Sequence, residues 1–247
     1  MDGSRVPWRA ALALTFRQAG GRSVLASRRH EGPLMVQKPL YPEGGDVCHA
    51  VLIHAPGGIA GGDTLALALS VEDGAHALVT TPAAGKWYKA AGATAYQTGN
   101  ITIQGRAVLE WLPQETILFD HARASIETDV ALEAASVFAG WEVVCLGRRA
   151  SGEDFANGAL RQQLRLSRDG RAIWGEHLNL RGGDVVMHSP AGLGGHHVYG
   201  SMVVAAGSVP RGMVDACRQT APRSGTCGVG VQIGPFMRMP APDNPAV

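Results

Sequence analysis

Pro56-Gly57-Gly58-Ile59-Ala60-Gly61-Gly62-Asp63 places four glycines in eight residues and ends on a carboxylate. Glycine reaches backbone regions closed to other residues and lets chains approach closely. Such a stretch therefore implies a tight corner that delivers Asp63 to a defined place. A phosphate cradle fails on context: no Gly-Lys-Ser/Thr follows, and the glycine spacing is not that of a dinucleotide fingerprint. No helix follows either. Thr64–Glu72 alternates, with Leu65, Leu67, Leu69 and Val71 on one face, the period of a half-buried strand. The plainer alternative is a β-hairpin corner without chemistry.

Outward from that corner, strands dominate. On the N-terminal side, Val47–Ala55 is apolar on both faces, as expected for a strand covered on two sides. Trp8, Ala10, Leu12, Leu14 and Phe16 alternate into a first strand that Gly20-Gly21 turns back towards Ser23–Arg29. Residues 32–42 carry three prolines, which exclude a helix. On the C-terminal side, Ala75–Thr81, Ala93–Gln104, Arg106–Trp111 and Ile126–Leu132 read as further strands. Residues 110–120 are extended around Pro113. Asp169-Gly170 joins Leu160–Arg168 to Arg171–Leu180 in a hairpin whose turn needs positive φ at both central residues. One helix is expected over Glu133–Leu146, from Ala134, Phe138, Trp141 and Cys145 at three- and four-residue spacing with Gly147 as a stop. Residues 188–207 form a glycine-rich turn running into a strand. From Val209 to Val247 the pattern dissolves into Pro, Gly and Ser, and a loosely ordered tail is expected. The fold class is mainly β: an elongated single domain of many antiparallel or stacked strands over 1–207, with one or two helices and a divergent or truncated tail over 208–247.

Composition narrows the function classes. A formal charge of +1 gives no electrostatic footprint for nucleic acid or anionic membrane. No apolar run is long enough for a membrane helix, and Met1–Arg5 lacks a signal-peptide layout. Cys48, Cys145, Cys217 and Cys227 are scattered without a CxxC pair, which fits reduced thiols and a cytoplasmic protein.

Nine histidines raise the question of a metal, but chelating geometry is missing. His196 and His197 are adjacent on an expected strand and so face opposite ways. Cys48 and His54 are ~20 Å apart at about 3.3 Å per strand residue. A closed structural site is thus disfavoured, while an open one assembled from distant carboxylates and histidines is not. No serine sits in a GxSxG elbow. Carboxylate pairs such as Glu110 with Glu115 are ordinary solvated groups more often than acid–base pairs. Trp- and Tyr-bearing polar segments, Lys86–Lys89 and Glu110–Glu115, suit partner docking, since such rings bury large area at low entropic cost.

Six blocks carry a resemblance: GPLMVQKPLYP (32–42), HAVLIHAPGGIAGGD (49–63), GAHALVTTPAAGKWYKA (74–90), LEWLPQETILFD (109–120), GWEVVCLGRRASGEDFANG (140–158) and RDGRAIWGEH (168–177). In this order they resemble the UreD/UreH family of urease accessory proteins over most of residues 8–205. The resemblance implies a nearly all-β, non-enzymatic, cytoplasmic scaffold. It would bind apo-urease, recruit UreF and through it the nickel-carrying GTPase UreG, and pass nickel along an internal channel. Nickel would be held in transit only, because a full cage would trap an ion this high in the Irving–Williams series. By the same resemblance Asp63 is the first residue expected on the nickel path, with Glu110, Glu142 and Glu176 as further carboxylates. Lys86, Tyr88, Trp111, Gln114 and Glu115 would shape the channel or a partner face. No counterpart of the family's C-terminal stretch is apparent after residue 207. A competing class is a metal-dependent hydrolase using Asp63 with His49 or His54; a third is a structural β protein without metal handling.

Overall fold

The computed structural model describes residues 6–208 and 211–220. The chain divides into two units, Met1–Gly207 and Ser208–Val247. The first holds β1 (Arg9–Ala19), β2 (Arg22–Glu31), β3 (Leu34–Val36), β4 (Val47–His54), β5 (Thr64–Val71), β6 (His76–Thr80), β7 (Gly85–Trp87) and β8 (Ala95–Ile103). It continues with β9 (Val108–Trp111), β10 (Thr116–Leu118), β11 (Arg123–Leu132), β12 (Val137–Leu146), β13 (Ala159–Arg168), β14 (Arg171–Arg181), the short α1 (Val185–His188) and β15 (Val198–Ala205). Of the second unit, α2 (Arg211–Thr220) is described. The tail expected to be loosely ordered holds this helix at 211–220; its remaining residues from 221 lie outside the described ones.

The strands form two sheets, ordered β14-β13-β11-β8-β5-β1-β2 and β3-β4-β6-β9-β12-β10-β7, with β15 beside β12. Successive strands from β4 to β6, and again from β8 to β13, mostly change sheet. Each strand then lies parallel to its predecessor in that sheet: β1, β5, β8, β11 and β13 in one, β4, β6, β9 and β12 in the other. The result is a coil of stacked β layers. Antiparallel partners flank this parallel stack: β2 and β14 in the first sheet, β3 and β15 in the second. The glycine corner accordingly joins two sheets rather than the arms of a hairpin. The Asp169-Gly170 turn does close a hairpin, with φ of 49° and 75°.

Alternation decides what faces inward. Leu65, Leu67, Leu69 and Val71 of β5 are buried as the period predicts, against Phe16, Ile103, Leu109 and Phe138 in one continuous core. Corners are tied from layer to layer. Asp73 accepts the Arg106 N–H at 2.7 Å, and at Gly105 (φ 53°) a Cβ would stand 2.2 Å from the Asp73 carboxylate.

The expected helix over Glu133–Leu146 is a turn followed by β12. Phe138, Gly140, Val144 and Leu146 are buried at period two, whereas Trp141 and Val143 are exposed. Ala134, Phe138, Trp141 and Cys145 do not share a face. A slot bounded by β9 and β10 on one edge and β15 on the other supplies ladder partners along the segment. Pairing there overrides a weak helical pattern already broken by Gly140 and three valines.

Candidate functional site

Between the sheets lies a cavity of about 320 Å³. Its walls are mostly apolar, with Gln97, Thr128, Glu142 and Gln162 among the polar groups, and its rim includes Gly57, Gly58, Lys86 and Gln114. A second, narrow pocket of about 10 Å³ has room for about one water. It is lined by Glu176 and Ser201 and shares Trp111, Thr128 and Glu142 with the large one. Glu142 therefore lies between the two cavities, beside Trp111 and Thr128.

Strand phase puts it there. On β12 the even positions face inward, so Glu142 follows Phe138 and Gly140 into the interior. Gly140 matters because a Cβ there would lie 2.5 Å from the Phe138 ring. The Gln162 Nε2 group donates to Glu142 Oε2. Burial raises the Glu142 carboxyl from the usual 4.5 to about 7; the Gln162 bond opposes this and the Glu176 charge adds to it. Glu176, on β14, is better served: the Ser201 hydroxyl lies 2.8 and 2.9 Å from its two oxygens, and Trp174 Nε1 donates to Oε1 at 2.9 Å. The Tyr199 hydroxyl donates to Gln162 Oε1 at 2.5 Å. Burial holds that phenol above its ordinary value, helped by the Glu142 and Glu176 charges.

The expected residues divide. Glu142 and Glu176 come together, with Trp111 beside both. Asp63 does not join them. It is fully buried, its Oδ1 accepting the Trp8 N–H at 2.7 Å and its Oδ2 the Ala60 N–H at 2.8 Å. Here it closes the glycine corner and ties down the start of β1, and it is not among the residues lining either cavity. Glu110 follows the buried Leu109 and turns to the outer face of its sheet, 2.7 Å from His76 Nε2. Tyr88 packs its ring on Gly58 and edge-on to Phe119, with 5.0 Å between ring centres. The Glu115 carbonyl accepts the Gly85 N–H, and the Gln114 N–H is received by Thr81 Oγ1. The Asp63–His49 pair of the hydrolase reading does not form: His49 meets Glu43 at 2.7 Å while both Asp63 oxygens accept backbone N–H groups. His196 and His197 precede β15 rather than lying on it. Among the described residues, no three or more His, Cys, Asp and Glu side chains are arranged to hold a metal ion.

Sequence reading passed over Gln162, Tyr199, Ser201 and Trp174. A signal for the first was present: Gln162 occupies the apolar phase Leu160, Leu164, Leu166 of β13 and is buried.

Fold and site together define a stacked, mainly parallel β scaffold with a polar seam crossing the cavity between its sheets. A family profile described as UreD urease accessory protein matches residues 9–245, a span that continues past Gly207 through the stretch set apart as divergent. The chain is 49% identical to a urease accessory protein UreD of Methylobacillus flagellatus, over 85% of this chain and 74% of that one. Against the UreD of Dechloromonas aromatica identity is 48%, over 88% and 77%. Against that of an Azoarcus species it is 45%, over 88% and 76%. The chain belongs to the UreD urease accessory protein family. Among its described residues, no helix is long and apolar enough to cross a membrane.

Proposed function

We propose that this protein serves urease maturation as a cytoplasmic, non-catalytic scaffold that binds apo-urease, recruits UreF and through it the GTPase UreG, and lets nickel pass through its interior. The observation that carries the passage is that Glu142 lines both cavities, with Glu176 lining the narrow one. Carboxylate oxygens suit hard ions better than nickel, so the Glu142 and Glu176 carboxylates, which line the narrow pocket without imidazole or thiolate beside them, release nickel readily. Nickel is cargo here, touched in turn by Glu142 and Glu176. Asp63 supports the path by holding the corner at its rim. The exposed apolar side chains Trp141, Val143, Val198, Met202 and Val204 support the scaffold half of the reading, since β12 and β15 present them on one outward face.

The test combines capture with transfer. The chain should co-purify with UreF and apo-urease and allow nickel-dependent recovery of urea hydrolysis. Gly99→Leu supplies a plug: Gly99 lines the large cavity, and its Cβ would make only ordinary contact, 3.5 Å from Thr128. The plugged variant should still co-purify but fail to pass nickel. Full transfer through it would refute the passage, and loss of co-purification by the unaltered chain would refute the scaffold.

A further inference from the structure

We propose that Gln162 is a side-chain amide gate on the passage, pinned shut by Tyr199. The inference rests on the nickel-passage reading above and names the residue that regulates it.

Three strands contribute one polar unit each: Glu142 from β12, Gln162 from β13 and Tyr199 from β15. Their hydrogen bonds run in one direction. The Tyr199 hydroxyl donates to Gln162 Oε1, and Gln162 Nε2 donates to Glu142 Oε2. The amide orientation follows from this chain, because the reverse would set the amide oxygen against a carboxylate oxygen. Gln162 lines the large cavity and not the narrow one, while Glu142 lines both. An ion arriving from the large cavity therefore meets the N–H end of an amide lying across the carboxylate oxygen it needs. That end is the positive pole of the amide dipole and repels a cation.

The same amide can assist the ion once it turns. Rotation of the terminal group withdraws the N–H from Glu142 and presents Oε1, so that a carbonyl and a carboxylate oxygen face the ion together. The Tyr199 hydroxyl opposes this turn, since it must release Oε1 first. With Gln162 buried to 8% exposure and both amide ends engaged, the closed arrangement is the resting one. A neutral hydrogen bond's net worth corresponds to about five-fold in such an opening equilibrium, and a bond to a charged group to ten-fold or more.

The experiment follows nickel transfer through the assembled accessory complex into apo-urease, reading both recovered urea hydrolysis and nickel content of the isolated urease against time. Tyr199→Phe keeps the ring and removes the pin; Gln162→Ala removes the gate. At limiting nickel, Tyr199→Phe should transfer roughly five-fold faster and Gln162→Ala faster still, with final nickel content unchanged. A merely structural role would lower final content or complex yield without raising the rate. If Gly99→Leu blocks transfer but both variants run at the original rate or slower, the gate is overturned and the passage stands. If Gly99→Leu transfers freely, the passage falls and the gate with it. Should Gln162→Ala fail to fold, Tyr199→Phe alone decides.

Discussion

Replacing Asp63 separates a structural from an ion-handling role at the residue that sequence places foremost. Its two oxygens each accept one backbone N–H, from Trp8 and Ala60, inside a site with no exposure. The Trp8 bond anchors the residue just before β1, whose register beside β5 begins at Arg9 opposite Thr64. The Thr64 N–H in turn donates to the Trp8 carbonyl at 2.9 Å. Asp63→Ala deprives both N–H groups of this charged acceptor. Hydrogen bonds to a charged group contribute roughly 1.5–3 kcal/mol each, so the loss is about 3–6 kcal/mol. That is a large part of the 5–15 kcal/mol typical of a folded domain. Asp63→Asn keeps one acceptor but turns an NH₂ towards the other N–H, and should cost about 2–4 kcal/mol. Urea unfolding of the purified chain, beside the yield of its complex with accessory partners, measures both. Each variant should lower the unfolding midpoint and the complex yield together. Unchanged midpoint and yield with selective loss of nickel transfer would refute this reasoning and return Asp63 to the ion's path.

Glu142→Gln should stabilise the chain in a pH-dependent way. The Glu142 carboxyl lies above its usual 4.5, at about 7, so the fold favours its neutral form. That preference is fully satisfied below about pH 4.5 and is lost as pH rises through about 7, when ionisation costs roughly 3 kcal/mol. The variant's melting point should exceed that of the unaltered chain at about pH 8 and converge with it near pH 5; a constant offset would contradict the burial argument. Arg168→Met should cost about 2–4 kcal/mol, because one guanidinium nitrogen donates to the carbonyls of Glu133, Ala134 and Ser136, whereas Arg168→Lys should retain much of that by presenting an ammonium; equal losses in denaturant titrations would count against the cradle. Gly147→Ala combines a positive φ of 79° with a Cβ only 2.5 Å from the Glu153 carbonyl oxygen, and should cost about 3 kcal/mol by thermal unfolding; a near-neutral result would show that the 147–158 loop yields. Met202→Glu should raise the solubility of the isolated chain and weaken partner capture, and unchanged capture would place the docking face elsewhere.

Much of the fold was legible in residues 8–205 because each signal was local. Alternation of Leu65, Leu67, Leu69 and Val71 needs no partner to be read. The Asp169-Gly170 turn announces itself through two residues with positive φ. The β12 segment misled because its valines and its helix-like spacing pointed different ways, and neighbouring strands settled the matter. Glu142 and Glu176 stand out as carboxylates within largely apolar blocks, whereas Tyr199 and Ser201 carry no local mark of the partners they meet.

By itself, the sequence determined which side of most strands is apolar, where much of the chain turns, and that strands dominate. These follow from side-chain chemistry at a two-residue period, a property of one segment at a time. Tertiary structure alone decided which sheet each strand enters, that Asp63 would spend its charge on a backbone N–H 55 residues away, and that Glu142 would meet Gln162 and Tyr199. Periodicity tells a side chain to face inward without naming what waits there, because neighbours in a coiled stack come from distant layers of the chain.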